Sequence, residues 1–334
     1  MAISFLFAAL LAFLLALYGT PIARAAALRF GVVDNPDGRL KTQQEPVPYF
    51  GGLAIYLAVL IPLCLFYTFE ARILAILLAG TLVLLLGLID DFGVLTPGAK
   101  FVGQAIAAIV LIKGDVVIRV ESFHPSVCVL LTLIWIIGMT NAINIIDILD
   151  GLAAGIALIG AAFLFVVAVL NEHNMIAIFT VTLVGSLAGF MRYNYRPARI
   201  YMGDTGSMFL GLTLGALAII GDYSQRNNLA FFNPLLIFGV AIFDTVYVMI
   251  LRAIRGRSVF LGSKDHFAVR LRLLGWSVGK VVIFSYCLAF SLGAIAIINM
   301  FLPLQSSLGV YFVVLGFFLI FGWRLTRVKQ IDGN

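Results

Sequence analysis

The stretch ILAILLAGTLVLLLGLIDDFGVLTP, residues 73–97, contains the two features that decide the fold of this chain. Residues 73–89 form an apolar run without a charge. A helix needs about 20 predominantly apolar residues to cross the hydrocarbon core of a membrane. The run ends on two adjacent carboxylates, Asp90 and Asp91. We therefore predict a membrane-spanning helix whose last turn carries a pair of acids.

The composition extends this prediction to the whole chain. Of the 334 residues, 62% are hydrophobic and only 11% are charged, and the mean hydropathy is +1.10. A soluble domain carries about 25% charged residues, so this chain has too few charges to cover a soluble surface. The three cysteines form no CxxC pair and indicate no disulfide framework. We predict an all-α polytopic membrane protein.

Apolar runs along the sequence predict eleven transmembrane helices, or ten if the short run 99–114 is left out. The neighbouring residues 116–123, VVIRVESF, alternate in polarity and are compatible with a small hairpin outside the membrane. The predicted spans are residues 3–23, 50–68, 72–89, 99–114, 127–146, 152–170, 174–192, 205–221, 230–251, 279–300 and 304–323.

The positions of the basic residues predict the orientation. With the N-terminus outside, 18 of the 22 Lys and Arg fall in cytoplasmic segments, the other four being Arg72, Lys113, Arg119 and Arg226. Because positive charge favours the cytoplasmic side, the C-terminus is predicted to be cytoplasmic. The net charge of +6 need not indicate nucleic acid, because the positions of the charges follow the membrane sides, and we predict a membrane partner and no nucleic acid. We predict one domain over residues 1–334, with cytoplasmic active-site loops at 28–49, 90–100, 141–152, 192–207 and 252–278.

The same parity places five acids on the cytoplasmic face: Asp90, Asp91, Asp147, Asp150 and Asp204. Asp150 and Asp204 each precede an apolar helix and could be its N-cap. Asp90 and Asp91 repel each other at a helix C-terminus, where the macrodipole disfavours negative charge. We therefore expect a cation to lie against this pair.

Asn141, Asn144 and Asp147 recur every third residue and form a polar stripe on the last turns of an apolar helix. Hydrogen bonding between helices is the alternative explanation for this stripe. Carboxylates and carboxamides suit Mg²⁺ or Mn²⁺ rather than zinc, and Mg²⁺ sites of this kind also hold substrate phosphates. The sequence has no Walker loop. These features favour phosphoryl transfer or pyrophosphate chemistry at the membrane surface.

Four motifs, in order, resemble those of one enzyme family. They are DDFGVLTPGAKFVGQ at 90–104, NAINIIDILDGLAAG at 141–155, YNYRPARIYMGDTGSMFLG at 193–211, and FDT at 243–245 with KDHFAVRL at 264–271. The chain resembles the polyprenyl-phosphate N-acetylhexosamine-1-phosphate transferases, which are of the glycosyltransferase family 4 type and related to phospho-MurNAc-pentapeptide translocase. These integral membrane enzymes transfer a sugar-1-phosphate from a UDP-sugar to a lipid phosphate, release UMP and need Mg²⁺.

The resemblance implies roles for the acidic and amide residues. Asp90 and Asp91 correspond to the paired acids near the metal and the lipid phosphate, and Asp204 corresponds to the Mg²⁺ ligand. Asn144 and Asp147 correspond to polar residues that line the metal and diphosphate region. Asp90, Asp91, Asp147 and Asp204 are thus the predicted catalytic and metal residues.

The resemblance also implies residues that bind the substrates. In the family these residues form the nucleoside pocket, stack on uracil or supply positive charge for phosphate. They are Asp150, Gly151 and Leu152 for the pocket, Tyr201 for stacking, and Lys41, Lys100 and His266 for phosphate, with Asn141 added from the polar stripe.

Departures from the family motifs leave alternatives open. Arg39 and Lys41 both match the basic position of the first loop, depending on the direction of counting. The loop around His266 has Ala268 and Val269 where further histidines are common, so Arg270 is assigned their role. Because a histidine run is missing here, the resemblance favours the branch that starts surface polysaccharides or teichoic-acid-type linkers over the peptidoglycan branch.

The resemblance thus implies transfer of GlcNAc-1-phosphate from UDP-GlcNAc to undecaprenyl phosphate in the bacterial cytoplasmic (inner) membrane, and it is compatible with a homodimer. The alternatives are a phospho-MurNAc-pentapeptide transferase and, in a different class, a transporter of anionic substrates. Transporters place ionisable groups near the bilayer midplane within repeated halves. Here only Asp244, in the ninth span, fits that pattern. Direct one-step transfer and a two-step path through an aspartyl-phosphate both stay open.

Overall fold

The structure is a computed structural model that describes residues 1–34, 46–66, 70–120, 122–221, 223, 228–256 and 265–328. It divides into two compact units, Met1–Gly221 and Asp222–Asn334. The first unit contains α1 (Ala2–Phe30), β1 (Val33–Asp34), β2 (Val47–Pro48), α2 (Gly51–Phe66), α3 (Ala71–Asp91), α4 (Pro97–Lys113), α5 (Pro125–Ile145), α6 (Leu152–Leu170), α7 (Asn174–Asn194) and α8 (Gly203–Ile220). The second contains a 3₁₀ turn (Asn228–Phe232), α9 (Asn233–Ile237), α10 (Gly239–Ile254), α11 (Phe267–Leu273), α12 (Val278–Asn299) and α13 (Leu304–Thr326).

The predicted all-α membrane architecture is confirmed, and each predicted span coincides with a helix or a bent helix pair. Among the described residues, eight helices are long and apolar enough to cross a membrane, or nine with the bent pair. The other two predicted spans are α2, with 16 residues, and α4, with 17. At 1.5 Å per residue these two are only about 24–26 Å long, against a hydrocarbon core of about 30 Å. The count of eleven crossings therefore stays a prediction.

Two local predictions differ from the structure. The ninth span is not one continuous helix, because the segments Asn228–Ile237 and Gly239–Ile254 meet at an angle of 75°. The break falls at Phe238, which ends α9 and precedes α10 and whose φ of −100° and ψ of 15° depart from helical values. The hairpin alternative is also wrong, since residues 116–120 and 122–123 form no strand. The short antiparallel pair described is β1 with β2.

Glycines allow close helix packing in the first unit. A Cβ atom on Gly185 of α7 would lie 2.1 Å from the carbonyl oxygen of Ala9, and one on Gly189 would lie 2.4 Å from that of Phe13. On the facing helix α1, small buried residues recur every fourth position at Ala8, Ala12 and Ala16. Small residues of this kind let helix backbones approach each other in membranes.

Helix α8 is buried along most of its length because α2, α3, α5 and α6 pack against it. A Cβ on Gly52 of α2 would lie 2.2 Å from the backbone nitrogen of Gly206, and one on Gly87 of α3 would lie 2.4 Å from the carbonyl oxygen of Asp204. On α8 itself, a Cβ on Gly211 would lie 2.6 Å from the carbonyl oxygen of Met139 in α5. These contacts fix the first turn of α8 against α2 and α3.

The predicted orientation can be tested with single cysteines in a variant whose Cys64, Cys128 and Cys287 are replaced by alanine. Gly98 is exposed near the start of α4 and has open space for a side chain, and Ser122 is exposed between α4 and α5. We expect a membrane-impermeant maleimide to label Gly98→Cys only from the cytoplasmic side and Ser122→Cys only from outside. Labelling in the reverse pattern would show that the orientation is inverted.

Candidate active site

Asp204, in the first turn of α8, lies at the centre of a polar cluster at one end of the apolar helices. Its Oδ2 accepts a hydrogen bond from Lys100 Nζ at 2.8 Å, and its Oδ1 accepts one from Asn144 Nδ2 at 2.9 Å. The side chain keeps 28% of its surface exposed. A soluble substrate can therefore reach an acid that is held by α4 and α5.

Lys100 joins Asp204 to the first acid of the pair that ends α3. Its ammonium group forms a salt bridge with Asp90 as well as with Asp204. The carboxyl groups of Asp90 and Asp204 also lie within hydrogen-bonding distance of each other. The cation expected beside Asp90 is thus, in this structure, the side chain of Lys100. When both carboxyl groups are ionised, their two negative charges exceed the single positive charge of Lys100, and the cluster favours a cation.

Asp91 points to the start of α8. Its Oδ1 accepts a hydrogen bond from the backbone N–H of Asp204 at 2.7 Å, and its Oδ2 accepts from the backbone N–H and the hydroxyl of Thr205 at 3.2 and 2.5 Å. Although the macrodipole of α3 disfavours an acid at this end, the N-terminus of α8 favours one. Asp90 therefore faces Lys100 while Asp91 faces the N-terminus of α8, and this separation reduces the repulsion between the two adjacent acids.

The N-cap interpretations of Asp204 and Asp150 are wrong. Met202 occupies the N-cap of α8, and Gly151, with φ 76°, occupies the N-cap of α6. Asp204 instead lies inside the first turn and directs its side chain at Lys100 and Asn144.

Asn144 and Asn141 both bond to neighbouring helices, as the alternative explanation of the polar stripe predicts. Asn144 Nδ2 donates to Ser207 Oγ at 2.9 Å in addition to Asp204. Asn141 Nδ2 donates to Oε1 of the buried Gln104 at 2.7 Å. Asn144 therefore belongs to the cluster around Asp204, whereas Asn141 joins α5 to α4 one turn away.

Asp147 lies between α5 and α6, close to the other acids. Its carboxyl is half-buried, and separation from water raises its pKa to about 7, with further contributions from the negative charges of Asp204, Asp91 and Asp150. The structure thus places Asp147 close enough to Asp91, Asp150 and Asp204 for their charges to act on it.

Asp150 and Tyr201 meet beside a second tyrosine. Asp150 Oδ2 accepts a hydrogen bond from the backbone N–H of Ala198 at 3.0 Å, and its carboxylate also bonds to the hydroxyl of Tyr201. The ring centroids of Tyr49 and Tyr201 lie 6.2 Å apart. Burial and the charge of Asp150 raise the pKa of Tyr201. Tyr49 was not predicted from the sequence, since its pairing with Tyr201 is a tertiary contact.

Two predicted substrate residues belong to the second unit, where each has a buried acidic partner. His266 Nδ1 lies 2.7 Å from Oδ2 of Asp244, whose Oδ1 accepts from the backbone N–H of Phe267 at 2.9 Å. Arg270 is fully buried and donates to Asp265 at 3.0 Å and to carbonyl oxygens at the end of α13. Asp244 therefore holds a histidine and the start of α11, which explains an acid within an apolar helix.

Three further predictions concern the basic residues of the first loop, the start of α6 and the metal ligands. Arg39 and Lys41 lie outside the described residues. Gly151 is the N-cap of α6 and Leu152 is its first residue, so both lie beside Asp150, and their place in a nucleoside pocket stays a prediction. Within the described part of the chain, no three His, Cys, Asp or Glu side chains are arranged to hold a metal ion together. A four-carboxylate metal site therefore stays a prediction.

Comparison with known proteins identifies the family to which this arrangement belongs. The model of glycosyl transferase family 4 matches residues 73–222, from α3 to the end of α8. A relative from Bacillus subtilis (strain 168), named "Probable undecaprenyl-phosphate N-acetylglucosaminyl 1-phosphate transferase", is 34% identical over 311 residues, which cover 90% of this chain and 86% of the relative. The chain belongs to glycosyl transferase family 4.

Two further relatives are similar to most of the chain. A decaprenyl-phosphate N-acetylglucosaminephosphotransferase from Mycolicibacterium smegmatis is 33% identical over 307 residues, covering 80% of this chain and 75% of the relative. A phospho-N-acetylmuramoyl-pentapeptide-transferase from Caldicellulosiruptor bescii is 31% identical over 304 residues, covering 82% and 90%. The resemblance predicted from the four motifs is confirmed.

Proposed function

We propose that the chain transfers GlcNAc-1-phosphate from UDP-GlcNAc to undecaprenyl phosphate and releases UMP, at the cytoplasmic face of a bacterial inner membrane. The observation that carries this proposal is the Asp90–Lys100–Asp204 cluster at the end of apolar helices. Lys100 offers positive charge to a phosphate group, and the two acids can hold a cation beside it. The cluster lies where a lipid acceptor and a soluble donor can meet. The names of the relatives from Bacillus subtilis and Mycolicibacterium smegmatis support N-acetylglucosamine as the sugar.

The residues present fit a divalent cation. Asp90 and Asp204 already face one positive charge, and Asn144, which donates to Asp204 through its Nδ2, also carries a neutral amide oxygen of the type that Mg²⁺ prefers. We propose that these three residues hold Mg²⁺ and that Mn²⁺ can replace it. When bound, this ion supplies charge neutralisation for the diphosphate and for UMP as the leaving group. Asp147, whose pKa is raised to about 7 by burial and by the charges of Asp204, Asp91 and Asp150, lies near the same cluster.

Lys100 has the reach and charge to bind a phosphate oxygen. Its side chain is 30% exposed, so the ammonium group contacts solvent as well as the two acids. A phosphate monoester has a second pKa of about 6 and is mostly dianionic at neutral pH. Because the acceptor is already deprotonated, a strong base is not required, and we favour direct attack with Asp90 beside the acceptor. Positioning and charge neutralisation would then supply most of the rate.

The nucleoside end of the donor is proposed to lie beside Tyr201 and Asp150. The half-buried ring of Tyr201, next to Tyr49, offers an aromatic face for a base. Backbone hydrogen bonds from Tyr201 to Pro48 and from Gly51 to Tyr201 hold that ring in place. The homodimer stays a prediction from the resemblance.

The test is the release of UMP by the purified full chain in lipid nanodiscs with undecaprenyl phosphate and Mg²⁺. We expect UMP and a lipid-linked sugar from UDP-GlcNAc. UDP-MurNAc-pentapeptide is assayed in parallel, and preferential turnover of that donor would move the chain to the peptidoglycan reaction. A preparation that is monodisperse and helical yet releases no UMP from any UDP-N-acetyl sugar would overturn the proposed function.

A further inference from the structure

We propose that Asp91 is a positioning residue that holds the first turn of α8, and thereby Asp204, in place of a cap that α8 lacks. In this role Asp91 touches neither substrate nor cation. The two adjacent acids at the end of α3 then have separate tasks, with Asp90 facing the reaction and Asp91 facing the protein backbone.

Helix α8 begins without a capping side chain of its own. Met202 occupies the N-cap, and no side chain of the α8 segment caps the first turn. The first four N–H groups of a helix have no partner within the helix. A buried helix start therefore needs acceptors from elsewhere in the molecule.

Asp91 supplies these acceptors from α3, which is 113 residues away in sequence from Asp204. The carboxylate binds the first turn through three hydrogen bonds, two from the N–H groups of Asp204 and Thr205 and one from the Thr205 hydroxyl. Three of its roughly four lone-pair sites are thereby occupied. The negative charge also complements the positive end of the α8 macrodipole.

Glycines in α3 and at the start of α8 allow the close contact between Asp91 and the first turn of α8. A Cβ on Gly203, whose φ is 68°, would lie 2.5 Å from Asp91 Oδ2. A Cβ on Gly87, one turn before Asp91 in α3, would lie 2.4 Å from the carbonyl oxygen of Asp204. The backbone of Asp204 is thus held at its N–H by Asp91 and lies against α3 at its carbonyl. Its side chain then projects toward Lys100 and Asn144.

The capping role stands on geometry alone, whereas its effect on turnover rests on the proposed function. Hydrogen exchange of the full chain, without substrate or metal, tests the first part. We expect Asp91→Asn to raise amide exchange in peptides covering residues 203–207 by about 5–30-fold, the size expected for loss of a cap. Asp90→Asn is the matched control, because Asp90 bonds to side chains, and it should change this exchange by less than about twofold. Unchanged exchange in Asp91→Asn would overturn the proposal, even if UMP release succeeds.

A double-mutant cycle tests the second part. Thr205→Val removes one donor to Asp91, while Thr205→Ser keeps it. We expect Asp91→Asn to lower turnover by about 10–100-fold, as for other residues that orient a ligand, and Thr205→Val to lower it in the same direction. Because both act on one contact, their combination should fall well short of the product of the two losses, and Thr205→Ser should retain activity. Losses that multiply would show that Asp91 acts independently of α8 and would overturn the positioning role.

Discussion

Replacing Asp204 by asparagine is expected to reduce UMP release at least about 1,000-fold, because the site would lose the acid on which its charged contacts converge. Asp204 faces Lys100, Asn144 and Asp90. Asparagine keeps the shape but removes the charge and presents an amide N–H₂ or a neutral oxygen to Lys100. A bound metal ion stabilises the charge of the transition state by several kcal/mol, and each loss of about 1.4 kcal/mol lowers the rate about tenfold.

The matched control for this variant is Asp115→Asn. Asp115 is an exposed acid between α4 and α5 that pairs with Arg72 and Arg119. We expect Asp115→Asn to keep turnover within about twofold of the parent, since exposed ion pairs contribute little. Both variants are measured in nanodiscs after their helicity and monodispersity are verified. Turnover by Asp204→Asn equal to that of Asp115→Asn would remove Asp204 from the proposed metal site.

The helices could be predicted closely because a membrane helix depends on a local property, a long apolar run. The prediction for 152–170 matches α6 at both ends, and that for 174–192 ends two residues before α7 does. The bend between α9 and α10 was missed since the sequence stays apolar through Phe238. Hydropathy identifies the residues that lie in the membrane, but it does not show whether they form one straight helix or two helices joined by a bend.

The sequence predicts which residues belong to the site, but it does not predict which of them contact each other. Charges at span ends and the family motifs brought Asp90, Asp204 and Asn144 to one region, as the structure does. The division of labour between Asp90 and Asp91 depends on how α3 packs against α8, which no local pattern records. The pairing of His266 with Asp244 is likewise a tertiary contact between residues 22 positions apart.

Replacing Lys100 by methionine is expected to lower the specificity constant for UDP-GlcNAc by at least about 100-fold. Methionine fills much of the same volume without the ammonium group that joins Asp90 to Asp204. The two carboxyl groups would then face each other without a positive charge, and a phosphate oxygen would lose its proposed partner. Loss of one preorganised donor to a reacting group typically costs about 100–1,000-fold.

Lys113→Met is the matched control, since Lys113 ends the same helix α4 and is exposed. It should leave turnover within about twofold of the parent. The Lys100 variant should also gain more thermal stability from added Mg²⁺ than the parent does, because a cation between Asp90 and Asp204 would replace the missing ammonium group. Equal stabilisation of Lys100→Met and the parent by Mg²⁺ would show that the ion binds elsewhere, and undiminished turnover would show that Lys100 only joins the helices.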